Sequence, residues 1–202
     1  MGVFFQERKS LWTVLGGSTN AGRMYRAKLL RSFLFDSDGK DCLVKANQPI
    51  TQAIRVLKQK KADFTLRPYR YQEKGGTEVA SRELGMDEHQ VIKTLVMEDD
   101  CGNPFLVLMH GDREVSTKNL ARIMGVKTVK PCDPDIAHRH TGYMVGGISP
   151  FGTRKSLPVY LEETILELPT ILINAGKRGL LAEMVPDELV RVLNPAAVRV
   201  AI

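Results

Sequence analysis

The chain has 202 residues, 43% of them hydrophobic and 26% charged, and this composition excludes collagen-like, wholly disordered and disulfide-rich proteins. Its 29 basic and 23 acidic side chains give a formal charge of +6, which permits a polyanionic partner without requiring one. Residues 1–50 carry +4 of this charge and residues 51–202 only +2. The main part of the chain is therefore not expected to be a strongly basic nucleic-acid-binding domain.

The cysteines and the apolar runs indicate the cellular compartment in which the protein is expected. Cys42, Cys101 and Cys132 are odd in number and widely spaced, which favours a reducing compartment, the cytoplasm. No apolar run in the sequence reaches the length of a membrane span, so no membrane partner is expected.

The first 35 residues contain six basic side chains and one acid, Glu7, and so loosely resemble an organelle transit peptide. The alternative is an unstructured or non-native leader, with translation starting at Met24. Either interpretation predicts an N-terminal extension over 1–47, flexible or leader-like, and a separate domain over 48–202.

Regular patterning begins after Pro49. Thr51 is expected to cap a helix that runs to about Lys61, and alternating apolar residues predict a short strand from Phe64 to about Tyr69. In chain order, the further predicted elements are a helix from Thr77 to Gly85, a strand over 91–97, a hairpin turn over 99–103, a strand over 105–109, a helix from Ser116 to Gly125, a helix over 134–139, strands over 143–145, 159–161 and 170–173, and a helix over 187–193.

This mixture of strands and helices, with one hairpin and several helical connections, predicts a single α/β (α+β) domain built on a mixed sheet.

Lys93 interrupts the apolar run VIKTLVM, in which Val91, Lys93, Leu95 and Met97 share one face of a strand. A lysine in such a position either discourages aggregation at an edge strand or points into a cleft. In a cleft, its ammonium group can bind a phosphate or a carbonyl oxygen.

Two glycine-containing segments also suggest ligand binding. TGYMVGGISPFG, over 141–152, is expected to follow a short strand, and its glycines let backbone N–H groups approach a ligand. NAGKRG, over 174–179, follows the strand TILI and resembles an anion-binding turn. The alternatives are a plain glycine-rich turn and a solvated basic turn.

Metal and nucleophile motifs are weak. His138 and His140 lie near Cys132 in the sequence, but an isolated HxH pair is poor evidence for zinc, so no metal is expected. The sequence contains no GxSxG or HExxH motif and no base near a cysteine, and the cysteines are interpreted as structural or free thiols.

The segments VIKTLV (91–96), TGYMVGGISPFG (141–152) and GKRGL (176–180) occur together and in this order. The combination resembles the YbaK/EbsC family of aminoacyl-tRNA deacylases, and within it most closely the YbaK subfamily of Cys-tRNA(Pro)/Cys-tRNA(Cys) deacylases. The similarity covers roughly residues 50–200.

The resemblance implies a compact α/β domain around a mixed, barrel-like sheet, related to the editing insertion of bacterial prolyl-tRNA synthetases. It also implies hydrolysis of the ester between a wrong amino acid and the tRNA 3′ end, with no metal and no organic cofactor. The implied partners are the aminoacylated tRNA 3′ end and prolyl-tRNA synthetase.

The site residues implied by the resemblance are Tyr69, Asn174 and ten residues of the same three segments. Where the family commonly has Ser, this chain has Asn174, whose amide both donates and accepts hydrogen bonds. The implied catalytic residues are Lys93, Gly146, Gly147 and Ser149, and the implied substrate-binding residues are Tyr69, Thr94, Ile148, Pro150, Asn174, Gly176, Lys177 and Arg178.

The expected activity is therefore trans-editing of mischarged Cys-tRNA(Pro), and of Cys-tRNA(Cys) as a further substrate. Backbone N–H groups of residues 146–150 are expected to stabilise the ester oxyanion. The family's mechanism implies attack by the substrate's own thiol, which would make the enzyme a lyase if the cysteine cyclises. The alternatives are a deacylase for another mischarged tRNA, such as Ala-tRNA(Pro), and a non-catalytic module that binds tRNA or a synthetase.

Overall fold

A computed structural model describes residues 50–202 of the chain. Residues 1–49 lie outside this description, and with them the predicted N-terminal extension and Cys42. None of the helices within 50–202 has the length and apolar character needed to cross a membrane.

The described residues form five α-helices and eight β-strands. Two short 3₁₀ turns, over Glu88–Gln90 and Glu163–Glu167, separate some of them. In chain order the elements are α1 (Gln52–Gln59), β1 (Thr65–Pro68), α2 (Gly76–Leu84), β2 (Val91–Asp99), β3 (Pro104–His110), α3 (Thr117–Met124), β4 (Val129–Pro131), α4 (Pro134–Thr141), β5 (Val159–Glu162), β6 (Ile171–Lys177), β7 (Leu180–Met184), α5 (Pro186–Leu193) and β8 (Ala196–Val198).

The strands form one mixed sheet in the order β1-β7-β6-β2-β3-β5-β8, and β4 pairs with β2. The β2–β6, β3–β5 and β5–β8 pairs are parallel, whereas β2–β3, β2–β4, β6–β7 and β1–β7 are antiparallel. The single α/β domain with a mixed sheet that the sequence predicts is confirmed.

The helices cover the sheet through separate apolar clusters, because each has one apolar face. The largest cluster joins α1 and α5 to the sheet and includes Ile54, Leu57 and Leu189. A second cluster packs α3 against β2, β3 and β4. Two smaller clusters lie under α2 and α4, on either side of β2. The cavity described below lies between these two helices.

Several predicted helix boundaries are confirmed by their capping contacts. The Thr51 hydroxyl accepts a hydrogen bond from the Ile54 N–H (3.1 Å), and the Ser116 hydroxyl does the same for Asn119 (3.4 Å). Gly85 and Gly125 end α2 and α3 in the left-handed conformation, which glycine adopts without a Cβ clash.

The predicted cap at Thr77 is wrong. The N-cap of α2 is Gly75, and Thr77 lies inside the first turn, where its hydroxyl donates to Glu88 Oε1 (2.7 Å). The chain turns sharply where this helix begins, with positive φ angles at Lys74 and at the first helical residue, Gly76, so the helix begins earlier than the Thr77 side chain suggests.

The predicted strand over 143–145 is also wrong. These residues follow α4 directly and form a loop, in which the Tyr143 hydroxyl donates to the Phe151 carbonyl (2.6 Å). This contact ties the start of the glycine-rich segment to its end, so the segment closes on itself instead of pairing with a strand. The short strands β4, β7 and β8 were not predicted, since their sequences are too short for a clear alternating pattern.

Candidate active site

A cavity of about 810 Å³ opens on β2, between α2, α4 and the glycine-rich loop that follows α4. Its walls are largely apolar, with a few convergent polar groups, which is typical of a ligand site. The polar and charged side chains that line it belong to Tyr69, Tyr71, Glu73, Lys74, Thr77, Lys93, Thr94, Asn174 and Arg178, and Cys132 lines it as well.

The cavity lies at a gap in the sheet. On one side of β2, pairing with β6 ends at Ile92, and pairing with β4 begins at Met97. All residues from Val91 to Val96 line the cavity, although successive side chains of a strand leave opposite faces. The gap therefore explains how two neighbouring residues, Lys93 and Thr94, reach the same space.

Lys93 lies on an interior strand of the sheet and points into this cavity, so it is not an aggregation-blocking lysine on a sheet edge. Its ammonium group donates to the Gly111 carbonyl (3.1 Å). Burial lowers the pKa of Lys93 below its usual value, and this effect outweighs the opposing charges of Glu114, Glu88 and Asp112.

Thr94 lines the cavity and carries a hydroxyl without a hydrogen-bond partner in the described part of the chain. Its Oγ1 is buried. The Val96 carbonyl accepts a hydrogen bond from the Cys132 N–H (3.0 Å), on the edge of β2 where the gap lies. Main-chain groups two residues apart in a strand point to the same edge, so the N–H and C=O of Thr94 also point toward the gap. A buried unpaired hydroxyl costs free energy, so this arrangement favours a ligand that accepts a hydrogen bond from it.

The glycine-rich loop is held by the turn between β6 and β7. The Arg178 Nε donates to the Val145 carbonyl (2.8 Å), and the Asn174 Nδ2 donates to the Gly146 carbonyl (3.3 Å). The Asn174 Oδ1 also accepts from the Gly176 N–H (2.8 Å). Asn174, where the family commonly has Ser, therefore links the loop to β6.

Both central glycines of the loop pack closely. A Cβ on Gly146, whose φ is +84°, would lie 2.9 Å from the Tyr71 hydroxyl oxygen. A Cβ on Gly147 would lie 3.0 Å from the Arg178 backbone nitrogen. The absence of a side chain at these two positions lets the loop lie directly against the turn.

The structure brings most of the predicted site residues to the cavity. Those that line it are Tyr69, Lys93, Thr94, Gly146, Ile148, Asn174 and Arg178.

The other predicted site residues lie elsewhere. Ser149 is fully buried outside the cavity, and its hydroxyl accepts from the Phe151 N–H (3.3 Å). The Gly147 N–H donates to the Met144 carbonyl (2.9 Å), so it is not free to stabilise an oxyanion. Pro150 is buried next to Ser149, Gly176 packs against the Tyr143 ring, and Lys177 is exposed at the turn.

Five residues with polar or thiol side chains line the cavity but were not predicted, namely Tyr71, Glu73, Lys74, Thr77 and Cys132. Tyr71 lies two positions after Tyr69, and the Arg178 guanidinium lies 5.3 Å from the centre of its ring, within the range of a cation–π contact. The alternation Tyr-Arg-Tyr would have placed both rings on one side of an extended segment. Thr77, interpreted only as a helix cap, is another of these residues.

Cys132 lines the cavity but is a poor nucleophile. Burial, with Glu98 nearby, raises the pKa of its thiol to about 12, so the thiolate is scarce at neutral pH. The thiol donates to Glu98 Oε2 (3.5 Å). Within residues 50–202, no three His, Cys, Asp or Glu side chains converge as a metal site would require.

Residues 73–192 match the family model of the aminoacyl-tRNA editing domain. The chain belongs to this family. The matched range includes the gap in β2, the glycine-rich loop and the β6–β7 turn, and so nearly all of the cavity.

Editing-domain relatives match over most of the described domain. EbsC of Enterococcus faecalis, described as a candidate Cys-tRNA(Pro)/Cys-tRNA(Cys) deacylase, is 30% identical over 151 residues, which cover 74% of this chain and 92% of EbsC. The proline–tRNA ligase of Moorella thermoacetica is 32% identical over 96 residues, 48% of this chain but only 16% of the ligase.

A solved structure confirms the fold. The crystal structure of a protein described as a candidate trans-editing enzyme for prolyl tRNA synthetase superposes with a TM-score of 0.68. The two sequences are 22% identical, and the match covers 77% of this chain and 99% of that one.

Proposed function

We propose that this chain is a trans-editing deacylase that hydrolyses the ester linking cysteine to tRNA(Pro), and to tRNA(Cys) as a further substrate. The observation that carries the proposal is that Lys93 and Thr94 line one cavity at the gap in β2, where the Thr94 hydroxyl has no hydrogen-bond partner among residues 50–202. Together they supply the positive charge and the hydrogen-bond donor that a developing ester oxyanion requires.

The Thr94 main chain adds to this arrangement. Its N–H points toward the gap and so adds a main-chain donor to the hydroxyl and the ammonium group. These donors take the role that the sequence assigned to the glycine-rich loop, whose Gly147 N–H is already bonded. The loop instead forms a wall of the cavity through Val145, Gly146 and Ile148.

The attacking group in this proposal belongs to the substrate. The cysteine Sγ bonds to its own ester carbonyl carbon, the bond from that carbon to the ribose oxygen breaks, and the thiol proton ends on the ribose oxygen. The product is free tRNA and a cyclic thioester of cysteine, which water then opens. Cys132, whose thiol pKa is raised to about 12, is not suited to the nucleophilic role.

The cavity volume fits a substrate that includes the terminal adenosine. A space of about 810 Å³ exceeds the needs of one cysteinyl group, so the aminoacyl end occupies only part of it. A pocket distinguishes side chains by only about 1–3 kcal/mol per methylene. Selection of tRNA(Pro) therefore depends on a partner, and prolyl-tRNA synthetase is the proposed one.

The test is release of cysteine from Cys-tRNA(Pro), measured for the wild type, for Lys93→Ala and for the control Lys118→Ala, an exposed lysine on α3. We expect Lys93→Ala to lower kcat/KM by about 10²–10³-fold, the usual effect of losing one oxyanion donor. The control keeps full activity. Full activity in Lys93→Ala would disprove the proposed site.

A second arm compares Cys-tRNA(Pro), Ser-tRNA(Pro) and Ala-tRNA(Pro). Serine nearly matches cysteine in size but lacks the thiol, so thiol-assisted cleavage predicts no turnover of the serine ester. Equal turnover of the serine and cysteine esters would show that water attacks directly. Faster turnover of the alanine ester would assign a different substrate to the same site.

A further inference from the structure

We infer that five exposed basic residues beside the cavity form a docking surface for the sugar–phosphate backbone of the tRNA acceptor end. This basic rim consists of Arg139, Arg154, Lys155, Lys177 and Arg178. The inference rests on the proposed function and names the surface that holds the part of the substrate outside the cavity.

The distribution of charge in the sequence supports the rim. Residues 136–161 and 168–182 contain no Asp or Glu, and the only Lys and Arg residues in them are the five of the rim. The rest of 51–202 holds 16 basic and 19 acidic side chains. The net charge of +2 over 51–202 is therefore the sum of +5 in these two segments and −3 in the rest. Such a separation of charge is typical of polyanion binding.

The fold brings three of these residues together at the end of α4. The Arg154 N–H donates to the Thr141 carbonyl (3.1 Å), and the Lys155 N–H donates to the His140 carbonyl (3.0 Å). The Arg154 Nη1 lies 3.5 Å from the Arg139 carbonyl oxygen. The two ends of the glycine-rich loop are thus clamped side by side, with three cations on the outside.

The other two rim residues continue this surface to the cavity. Arg178 both lines the cavity and donates to the Val145 carbonyl of the loop. At the other end of the loop, the Arg154 side chain covers Gly142, where a Cβ would lie 3.7 Å from Arg154 Nε. An acceptor end whose terminal adenosine lies in the cavity and that leaves it past this loop would contact the rim.

Internal neutralisation does not account for the rim. Within residues 50–202, none of the five has a carboxylate within salt-bridge distance, whereas Arg67, Arg113, Arg191 and Arg199 do. A cation at a helix C-terminus interacts favourably with the helix dipole, but this explains only Arg139. Burial and the charges of Lys155 and Arg139 lower the pKa of His140, which agrees with a concentration of positive charge here.

The experiment measures binding of uncharged tRNA(Pro) to the full chain at several salt concentrations. The rim variant is Arg154→Glu with Lys155→Glu, and the matched control is Lys118→Glu with Lys127→Glu, which makes the same change in net charge at exposed positions next to and within α3. We expect the rim variant to bind about tenfold more weakly, and the control to bind as the wild type does.

Salt dependence provides the specific readout. Loss of two phosphate contacts reduces the salt dependence, so the change in Kd between 50 and 200 mM salt should shrink by about tenfold. Equal tRNA binding in the rim variant and the wild type would overturn the inference, as would an equal loss in the control. Normal tRNA affinity with lost binding to prolyl-tRNA synthetase would also overturn it, because the rim would then be a protein-docking surface.

Deacylation distinguishes this inference from the proposed function. With Cys-tRNA(Pro), the rim variant should lose about tenfold more kcat/KM than it loses with 2′(3′)-O-cysteinyl adenosine, which has no phosphate backbone. Equal losses with both substrates would overturn the inference. If the wild type cleaves neither substrate but the rim variant still loses tRNA binding, the proposed function fails and the rim stands.

Discussion

Lys93 and Thr94 illustrate how little a residue's neighbours in the sequence reveal about its surroundings. The strand pattern places their side chains on opposite faces of β2, yet both line one cavity because β2 lacks a neighbouring strand between its β6 and β4 pairings. The lysine was recognisable as an isolated charge in an apolar run. The threonine was implied only by the family resemblance, and the structure adds that its buried hydroxyl has no partner among residues 50–202.

At Thr94, removing the hydroxyl should separate stability from activity. Thr94→Val keeps the side-chain shape but deletes a buried donor without a partner in 50–202, so we expect an equal or higher melting temperature. The same change should lower kcat/KM by about tenfold or more, because the oxyanion loses one hydrogen bond.

Thr94→Ser is the matched control, since it keeps the hydroxyl and loses only a methyl group. Thermal unfolding and deacylation assays on both variants test the prediction. It fails if the valine and serine variants have the same kcat/KM.

At the scale of the elements, the glycine-rich loop and the β6–β7 turn act as one unit. Arg178, Asn174 and the close approach of Gly147 join them across a long separation in the sequence. The sequence marked both segments as candidate ligand loops, but it could not show that they bind one another. Their contact uses the Val145 and Gly146 carbonyls as hydrogen-bond acceptors.

Gly147→Ala should separate the loop from the turn. The new Cβ would lie 3.0 Å from the Arg178 nitrogen and 3.2 Å from the Lys177 carbonyl carbon, and both are main-chain atoms that cannot rotate away. We expect a destabilisation of about 1–3 kcal/mol, typical of overpacking, together with a loss of deacylation.

Gly125→Ala provides the control for Gly147→Ala. Its φ of +71° strains an alanine, but no atom lies near the new Cβ, and the residue ends α3. This variant should lose some stability and keep its activity. Denaturant unfolding and kcat/KM for both variants decide the matter, and full activity in Gly147→Ala would show that the contact is dispensable.

A buried polar network links β3 to the segment after β5. His110 is fully buried, its Nδ1 lies 2.7 Å from the His89 carbonyl oxygen, and its Nε2 lies 2.8 Å from the Thr164 hydroxyl. Since a carbonyl only accepts, Nδ1 carries the proton in the neutral ring. The fully buried Glu162 accepts from the Val200 and Ala201 N–H groups nearby (2.7 and 2.8 Å).

This network predicts that the folded protein loses stability at acidic pH. Burial is the main cause that lowers the pKa of His110 in the folded protein, so the unfolded chain binds the proton more readily. The stabilisation is complete above the unfolded pKa of about 6.5 and is lost as the pH falls through the lower folded pKa. Between pH 7 and 5 the free energy of unfolding should therefore fall, by at most about 1.4 kcal/mol per pH unit for one proton.

His110→Asn, which keeps a donor for the His89 carbonyl but does not titrate, should flatten this dependence. Urea unfolding at a series of pH values measures it. His140, whose pKa burial also lowers, contributes in the same direction and remains in the variant. An identical pH slope in the wild type and His110→Asn would contradict the assignment.

At the scale of the whole molecule, residues 50–202 carry their own core. These residues form four apolar clusters and line the cavity. The boundary that the sequence placed at residue 48 stays a prediction. So does the N-terminal extension before it, which carries most of the excess positive charge.

A fragment of residues 48–202 is expected to unfold in one cooperative transition at the melting temperature of the full chain. It should also cleave cysteinyl adenosine at the full-length rate, because the substrate is small enough to contact the cavity alone. Calorimetry and the deacylation assay test both expectations. A broad transition or a lost activity would show that residues 1–47 contribute to the fold.

Local patterns in the sequence determined the family, the mixed α/β domain and most element boundaries, because helix caps, glycine C-caps and alternating apolar residues depend on near neighbours. They also marked Lys93 and the two glycine-containing segments. They misplaced the start of α2 and the predicted strand over 143–145, where a sharp turn and the contact of Tyr143 with Phe151 override local preference.

Only the tertiary structure decided which polar groups face the cavity. The gap in β2 depends on where β6 and β4 stop pairing, and that is set by packing between distant segments. For the same reason Ser149 is buried outside the cavity, while Thr94 and Tyr71 line it. The basic rim likewise exists because the fold brings two acid-free segments together at one side of the cavity.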